Sequence, residues 1–536
     1  MKNHPGRARL RRRLLAAAVA ATALSVTACG SGSSSSSTAD GEWQQGPVTF
    51  VHAGAAAPAH IDPAQAVDLD SFTVTRNLYD PLVWTDSDLK TIPWLATEWT
   101  TSEDGLTTTF TLRDGVRFSD GSPLTSADVK LTIERILALQ AGPSYLFTDV
   151  TGVEAVDDLT VAIHSKQPDT YLLPHLTKVG ILSSAAVEAH RTDEDPWATA
   201  WFDENSAGSG PYVLGEWQKG VQLTMEKNED WWKGWEPGSI DTVIDQFVTE
   251  TSSRIQMVEQ GSADFASSWP ANDALRVGKQ DGFSLVSVPT FEIEPMFSLN
   301  TQKAPFDNKL VRQAAQLAFD YQAVIDYYQG EATTPGGPIP SDYPGAAEFP
   351  AYEQDVTKAK QLIEESGVDL SQHPVQFVLP AGYDSFSVGA TIFQESLQKV
   401  GFTVEIQQMP FTQLMSAYAD PATAGSASVI ISSPYSTDPT VFLGNFYLPG
   451  ATYNFSKYDN PEVTALVAEA RSSADQAASE AALKQAETLI REDAPAIWAG
   501  RPNTLVAVPD YVKGYEMAVV DYRWTMNFWQ LRIAAH

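Results

Sequence analysis

Hydrophobic and polar positions change period along the chain, and that change predicts most of the elements. Thr107 to Leu112 alternate and run into Arg113-Asp114-Gly115, a strand ending in a turn, with a second turn at Phe118-Ser119-Asp120-Gly121. Helical spacing takes over at Thr125, an N-cap with Asp128 at the third position, followed by Val129, Ile133, Ile136 and Leu137 on one face. Farther on, Asp307 is expected to cap a helix whose apolar face is Leu310, Val311, Ala314, Ala315, Ala318 and Phe319. Asp355 opens another, through Ala359, Leu362 and Ile363 to the terminating Gly367. Val375 to Leu379 reads as a buried strand, Phe386 to Val400 as a helix closed by Gly401, and Phe402, Val404 and Ile406 as the next strand. That is a βαβ unit, so parallel sheet is expected there. One long helix follows from about Pro461 to Glu492. Strands and helices alternate irregularly and no short-period repeat occurs, which predicts mixed α/β domains and excludes solenoids and propellers.

The N-terminal residues follow another pattern. Basic residues end at Arg13, an apolar run extends from Leu14 to Val26, and Thr27-Ala28-Cys29 follows. The run is too short to span a bilayer and has the layout of a secretory signal. Val26-Thr27-Ala28-Cys29 resembles the bacterial lipobox, which implies a signal peptide over 1–28 and diacylation of Cys29, enough for stable anchoring. Residues 30–37 are only Gly and Ser, a flexible tether, so 29–42 is expected to join the anchor to a folded body outside the cytoplasm. Adjacent arginines at 11–13 leave the Sec and twin-arginine export routes both open.

Length adds a count: 536 residues suggest about three units at roughly 100 to 200 residues each. Net charge is -32 and becomes -38 once the six basic residues before Cys29 are removed, since no acid lies among them. So acidic a surface repels phosphate backbones, and nucleic acid is not an expected partner. The one cysteine excludes internal disulfides and Cys-rich metal sites, and the eight histidines are scattered without ligand spacing, so neither metal nor cofactor is expected. Walker A, Gly-x-Ser-x-Gly and His-Glu-x-x-His are absent, and Ser87-Asp88-Leu89-Lys90 is a chance match to Ser-x-x-Lys without its companion motifs. No catalysis is expected, and a secreted hydrolase is the alternative of a different class.

A series of local signatures then carries a family resemblance. His60-Ile61-Asp62-Pro63, Asn77-Leu78-Tyr79-Asp80-Pro81, Phe110 to Gly121, Gly208-Ser209-Gly210-Pro211-Tyr212, Asn228 with Trp231-Trp232, Leu299-Asn300-Thr301, Val311-Arg312-Gln313-Ala314 and Tyr458-Asp459-Asn460-Pro461 occur in one order. Together they resemble the extracytoplasmic solute-binding proteins of family 5, the peptide, dipeptide and nickel class that serves ABC importers. Most of these motifs read as scaffold, because Gly in the turns supplies positive φ and Asp-Pro starts turns.

The resemblance implies a two-lobed periplasmic-binding-protein-like α/β fold with mixed sheets and an inserted subdomain. Lobe I would comprise 43–85, 206–292 and 502–536, the insertion 86–205, and lobe II 293–501, with hinges near Phe291 to Leu299 and Arg501 to Val508. It implies capture of oligopeptides or peptide-like solutes between the lobes and delivery by a monomer to a permease with its ATPase; with the lipobox, it places the protein on the extracytoplasmic face of the cell membrane, held by lipid alone and periplasmic where the host has an outer membrane.

In peptide-binding relatives an Asp three residues before Asp-Pro grips the peptide amine; here Tyr435 stands at that position, before Thr437-Asp438-Pro439. Tyr435, Thr437 and Asp438 are therefore candidates, with Asp438 a substitute anchor. A buried ammonium needs a counter-charge whereas hydroxyls suit a neutral polar ligand, so a blocked peptide, a glycoside or a siderophore-like solute is the alternative cargo. Trp269 is a candidate wall against ordinary core packing, His52, Ala53 and Gly54 are candidate main-chain contacts on the first strand, and Tyr453 and Asn454 complete the set.

Overall fold

The computed structural model describes residues 43–87, 89–381, 384–420, 423–432, 437–515 and 526–536. Cys29, the tether and Tyr435 lie outside the described residues. Four bodies of secondary structure are built from the segments between them.

The first is a five-stranded mixed sheet in the order Phe265–Ala266, Thr49–Gly54, Thr242–Phe247, Gln222–Lys227, Tyr212–Gln218, with the first three parallel and the last two pairings antiparallel. Its core joins Phe50, Leu223, Met225 and Val243 to Leu505, Val506 and Phe528 from the far end of the chain. The second body is an antiparallel sheet, Ala96–Thr101, Thr107–Leu112, Thr160–Ser165, Val150–Asp157, covered by the helix Ser126–Leu139. The expected cap is present: the Asp128 carboxylate accepts from the Thr125 N–H at 2.8 Å and from its hydroxyl at 2.9 Å.

The third body is the five-stranded sheet Val404–Met409, Val375–Pro380, Ala427–Ser432, Ile293–Leu299, Ala496–Trp498. The first two strands are parallel with the helix Asp384–Gln398 between them, the βαβ unit read from the sequence. Phe297, Leu299, Phe377 and Phe393 bury one face, while Met296, Val378, Ile430 and Trp498 bury the other. Last, Phe283–Pro289 and Arg501–Pro509 pair antiparallel and carry Ala332–Thr333 on the edge. The described chain thus passes from this edge sheet into the third body at 290–292, just ahead of Ile293–Leu299, a central strand of the third sheet, and returns to it at 499–500.

Two expectations change. The helix Lys309–Ala318 is capped by Asn308, whose side chain accepts from Leu310 N, and not by Asp307; of two adjacent capping residues the second meets the first free N–H. The single long helix is two, Pro461–Ser472 and Gln476–Asp493, because Asp475 caps the second and Ser473 is extended at ψ 134°.

The scaffold motifs meet in space. Asp62 accepts both Nη atoms of Arg135, at 2.6 and 2.5 Å, with both side chains fully buried. Asp80 accepts from the indoles of Trp94 at 2.7 Å, Trp232 at 2.9 Å and Trp231 at 3.4 Å, and from Ser209 Oγ at 3.1 Å. Burial pushes the Asp80 carboxyl up to about 6 while the Trp94 and Trp232 bonds hold it down. Gly115 and Gly121 have φ of +79° and +84°, as the turn reading expects. Gly208 has a different reason to be glycine: a Cβ there would lie 2.0 Å from Leu78 O.

Candidate functional site

A cavity of about 370 Å³ lies where the first three bodies approach one another. The first contributes Ala66, Val67 and Phe72 around the start of the helix Leu69–Leu78, capped by Asp68 through Ser71 N. The second contributes Gly142, Tyr145, Leu146 and Lys178, and the third Asn445, Thr452 and Tyr453. Its size falls in the range of roughly 300–1,000 Å³ usual for small-molecule sites, and its position at a junction of domains is the usual one. Apolar side chains form most of the wall, and Val67 and Tyr145 are 57% and 49% exposed. Such exposure of large apolar groups in a recess favours an occupant with apolar surface of its own. Tyr145 is pushed up to about 12, first by burial and then by the neighbouring Tyr453, so its hydroxyl stays a neutral hydrogen-bonding group at ordinary pH.

Of the residues singled out from the sequence, Tyr453 lines this cavity, stacked on Phe446 at 5.8 Å between ring centroids. Asn454 beside it turns inward: its amide donates to Leu448 O and Tyr458 O, at 3.0 and 2.8 Å, and its carbonyl accepts from Ser456 Oγ and Tyr458 N. Thr437 is half-buried next to Asp438. Asp438 caps the helix Pro439–Tyr447, accepting from Thr440 N at 2.7 Å and Thr440 Oγ1 at 2.6 Å, while its other oxygen lies 3.1 Å from His175 Nε2. Its carboxylate is held by the protein's own donors.

On the first strand, His52 Nδ1 lies 2.9 Å from Asp245 Oδ1 and Nε2 lies 2.7 Å from Ser267 Oγ. This Ser-His-Asp row ties two neighbouring strands to the residue just past a third; all three members are buried, and the imidazole sits against Phe265 and Phe528. Ala53 O and Gly54 O accept from Ser267 N and Val248 N, so these carbonyls serve the sheet. Trp269 is 5% exposed within the first core, and its indole N–H has no partner among the described residues. Near the row, Asp70 is pushed up to about 6 by burial and by the charge of Asp245, with His52 opposing.

Sequence reasoning missed Val67, Tyr145, Leu146, Asn445 and Thr452. Only Gly142-Pro143 carries a turn signal; the others look like ordinary core or loop residues, and their convergence is tertiary. Among the described residues, no helix is long and apolar enough to cross a membrane, and no group of three His, Cys, Asp or Glu side chains is placed to hold a metal ion.

Comparison with known proteins adds the following. Residues 90–454 match the family described as bacterial extracellular solute-binding proteins, family 5 Middle. The chain is 30% identical to the "Probable D,D-dipeptide-binding periplasmic protein DdpA" of Escherichia coli K12, over 86% of this chain and 90% of that one. It is 28% identical to the glutathione-binding protein GsiB of Pectobacterium atrosepticum, over 85% and 89%. Among solved structures, the substrate-binding protein CtaP of Listeria monocytogenes superposes with a TM-score of 0.82 at 24% identity, over 91% of this chain and all of that one. DppA of Helicobacter pylori, in complex with the peptide STSA, superposes at 0.73 and 24% identity, over 92% and 99%. These likenesses establish a shared fold.

Proposed function

Because the chain belongs to family 5 of the bacterial extracellular solute-binding proteins, we propose that it is the lipid-anchored binding component of an ABC importer and captures short peptides or peptide-like solutes between its lobes. The relatives named for what they bind take a D,D-dipeptide and glutathione, both peptide-like and polar at their ends. The observation that carries the reading is the cavity between the bodies, walled by Val67, Phe72, Tyr145 and Tyr453 and edged by Asn445 and Thr452. Peptide side chains would take the apolar wall and peptide amides the polar edge. Lobe I is assigned 43–85, 206–292 and 502–536, the inserted subdomain 86–205 and lobe II 293–501. Closing about 290–292 and 499–500 would trap the solute and present a face to the permease.

We read the molecule as a monomer anchored through Cys29 and without chemistry of its own. The buried His52 row is strand-tying, and a fluorophosphonate probe is expected to leave Ser267 unlabelled. Asp438, spoken for by Thr440 and His175, favours a solute whose amine is blocked or bound elsewhere. Native mass spectrometry of the purified protein, followed by denaturation and identification of what is released, tests the assignment. A ladder of peptide masses is expected. One discrete non-peptide mass would transfer the protein to the glycoside or siderophore alternative, and Tyr453→Ala is expected to lower the carried amount in either case.

A further inference from the structure

The antiparallel body also meets the third body along a line of contact away from the cavity. Leu89 and Tyr171 come from the antiparallel side but are buried in the hydrophobic cluster of Phe442, Leu443, Ala482 and Leu483. Leu89 reaches it at φ +59°, a left-handed conformation that leucine seldom takes and that the surroundings must impose. Ser479 Oγ donates to Ala470 O, so the Tyr171 hydroxyl, 3.2 Å away, is the donor to Ser479. Thr170 donates to Ser473 O, and in the other direction Arg471 Nε lies 3.2 Å from Asp149. Amid these contacts His175 meets Asp438, both side chains 1% exposed.

We infer that Leu89, Tyr171 and His175 form a latch that sets how long the two lobes stay shut, an inference that rests on the two-lobed carrier reading. No strand pairing in the described sheets joins the antiparallel body to the third, so side chains alone hold this line and can separate without unfolding either side. The central bond is poised for release. Its Nε2 gains a charge-assisted partner on closure, while Nδ1 is buried with none among the described residues, so opening returns one ring nitrogen to water as it breaks the other's bond. The latch also shares an element with the cavity: Asp438 caps the helix Pro439–Tyr447, and Asn445 of that helix lines the cavity. A solute pressing on Asn445 and His175 pulling on Asp438 therefore act on one rigid rod, and each biases the same equilibrium.

The test uses ligand-free protein, so that it does not depend on knowing the solute. Wild type, His175→Ala, His175→Gln, Tyr171→Ala and Tyr171→Phe are compared by small-angle scattering and by amide exchange over 170–176 and 438–447. His175→Ala and Tyr171→Ala are expected to enlarge the radius of gyration and to raise exchange in both segments by about tenfold or more, with exchange in the first sheet unchanged. Gln can still donate to Asp438, so His175→Gln is expected to stay near wild type. Should Tyr171→Ala fail to fold, Tyr171→Phe, which loses only the bond to Ser479, is expected to show a smaller change of the same sign. An unchanged radius with exchange raised only in 170–176 would mean local packing and would overturn the latch. Turnover of peptide or glycoside libraries by the wild-type protein would overturn the carrier reading without altering these scattering and exchange outcomes.

Discussion

Two regions of the molecule take carboxylates out of water and do opposite things with them. At the junction of the first two bodies, Asp62 accepts both guanidinium nitrogens of Arg135, and Asp80 is met by three indoles and a hydroxyl. Every donor there belongs to one permanent assembly, and the charge is matched by hydrogen bonds on all sides. At the edge of the third body, Asp438 takes local donors on one oxygen and, on the other, meets a histidine from another body. Donors from one assembly make a joint, whereas a donor from across a boundary makes a contact that can be undone. The buried carboxylate is the same group in both; what differs is the origin of its partners.

Mutation can break or sharpen that contrast. Asp62→Ala should be the most damaging, about 3–5 kcal/mol by chemical denaturation, because it leaves Arg135 charged and buried; a loss below about 1 kcal/mol would mean the junction is no joint. Next comes Glu487, which is fully buried with one oxygen bonded to Ala347 N and the other without a partner among the described residues. Burial pushes it up to about 8, so the folded protein holds a proton that the unfolded chain has released. Its contribution to stability should therefore fall as pH rises from about 4.5 towards 8 and level off beyond. Glu487→Gln should remove that slope and gain about 1–3 kcal/mol at pH 8, read from melts across pH. His175→Ala should cost the global unfolding free energy only about 1 kcal/mol while changing closure, since each side keeps its own core. Glu259→Ala, which deletes the half-buried partner of the exposed Arg276, should move stability by less than about 1 kcal/mol.

Local chemistry was legible in the sequence and long-range partnership was not. The Thr125–Asp128 cap, the turns at Gly115 and Gly121 and the βαβ unit from Val375 to Met409 depend on residues close together in the chain. Asp62-Pro63 and Asp80-Pro81 could be read as turns, but Arg135 is 73 residues from Asp62, and Trp94, Trp231 and Trp232 find Asp80 only in the fold. Two adjacent capping residues hid the true start at Asn308, and the break between two helices at Ser473 to Asp475 lacked the glycine or proline that usually marks one. In the candidate site Tyr453 could be named, whereas Val67 and Tyr145 could not. An apolar residue in a sequence reads as core, and only coordinates reveal that it stands exposed in a recess.

The double passage of the chain through 290–292 and 499–500 also bears on how the molecule is made. Phe50, in the first strand, completes its core with Leu505, Val506 and Phe528, while the third body's core is drawn mostly from one continuous stretch that starts at Ile293. During synthesis or export the later stretch has nearly everything it needs as soon as it emerges. The earlier one must wait, with Phe50 and its neighbours uncovered, until the last forty residues or so arrive. Chain order and the order in which cores are completed thus differ, and the first body, unlike the antiparallel body whose core lies mostly within 64–181, is the part left open longest.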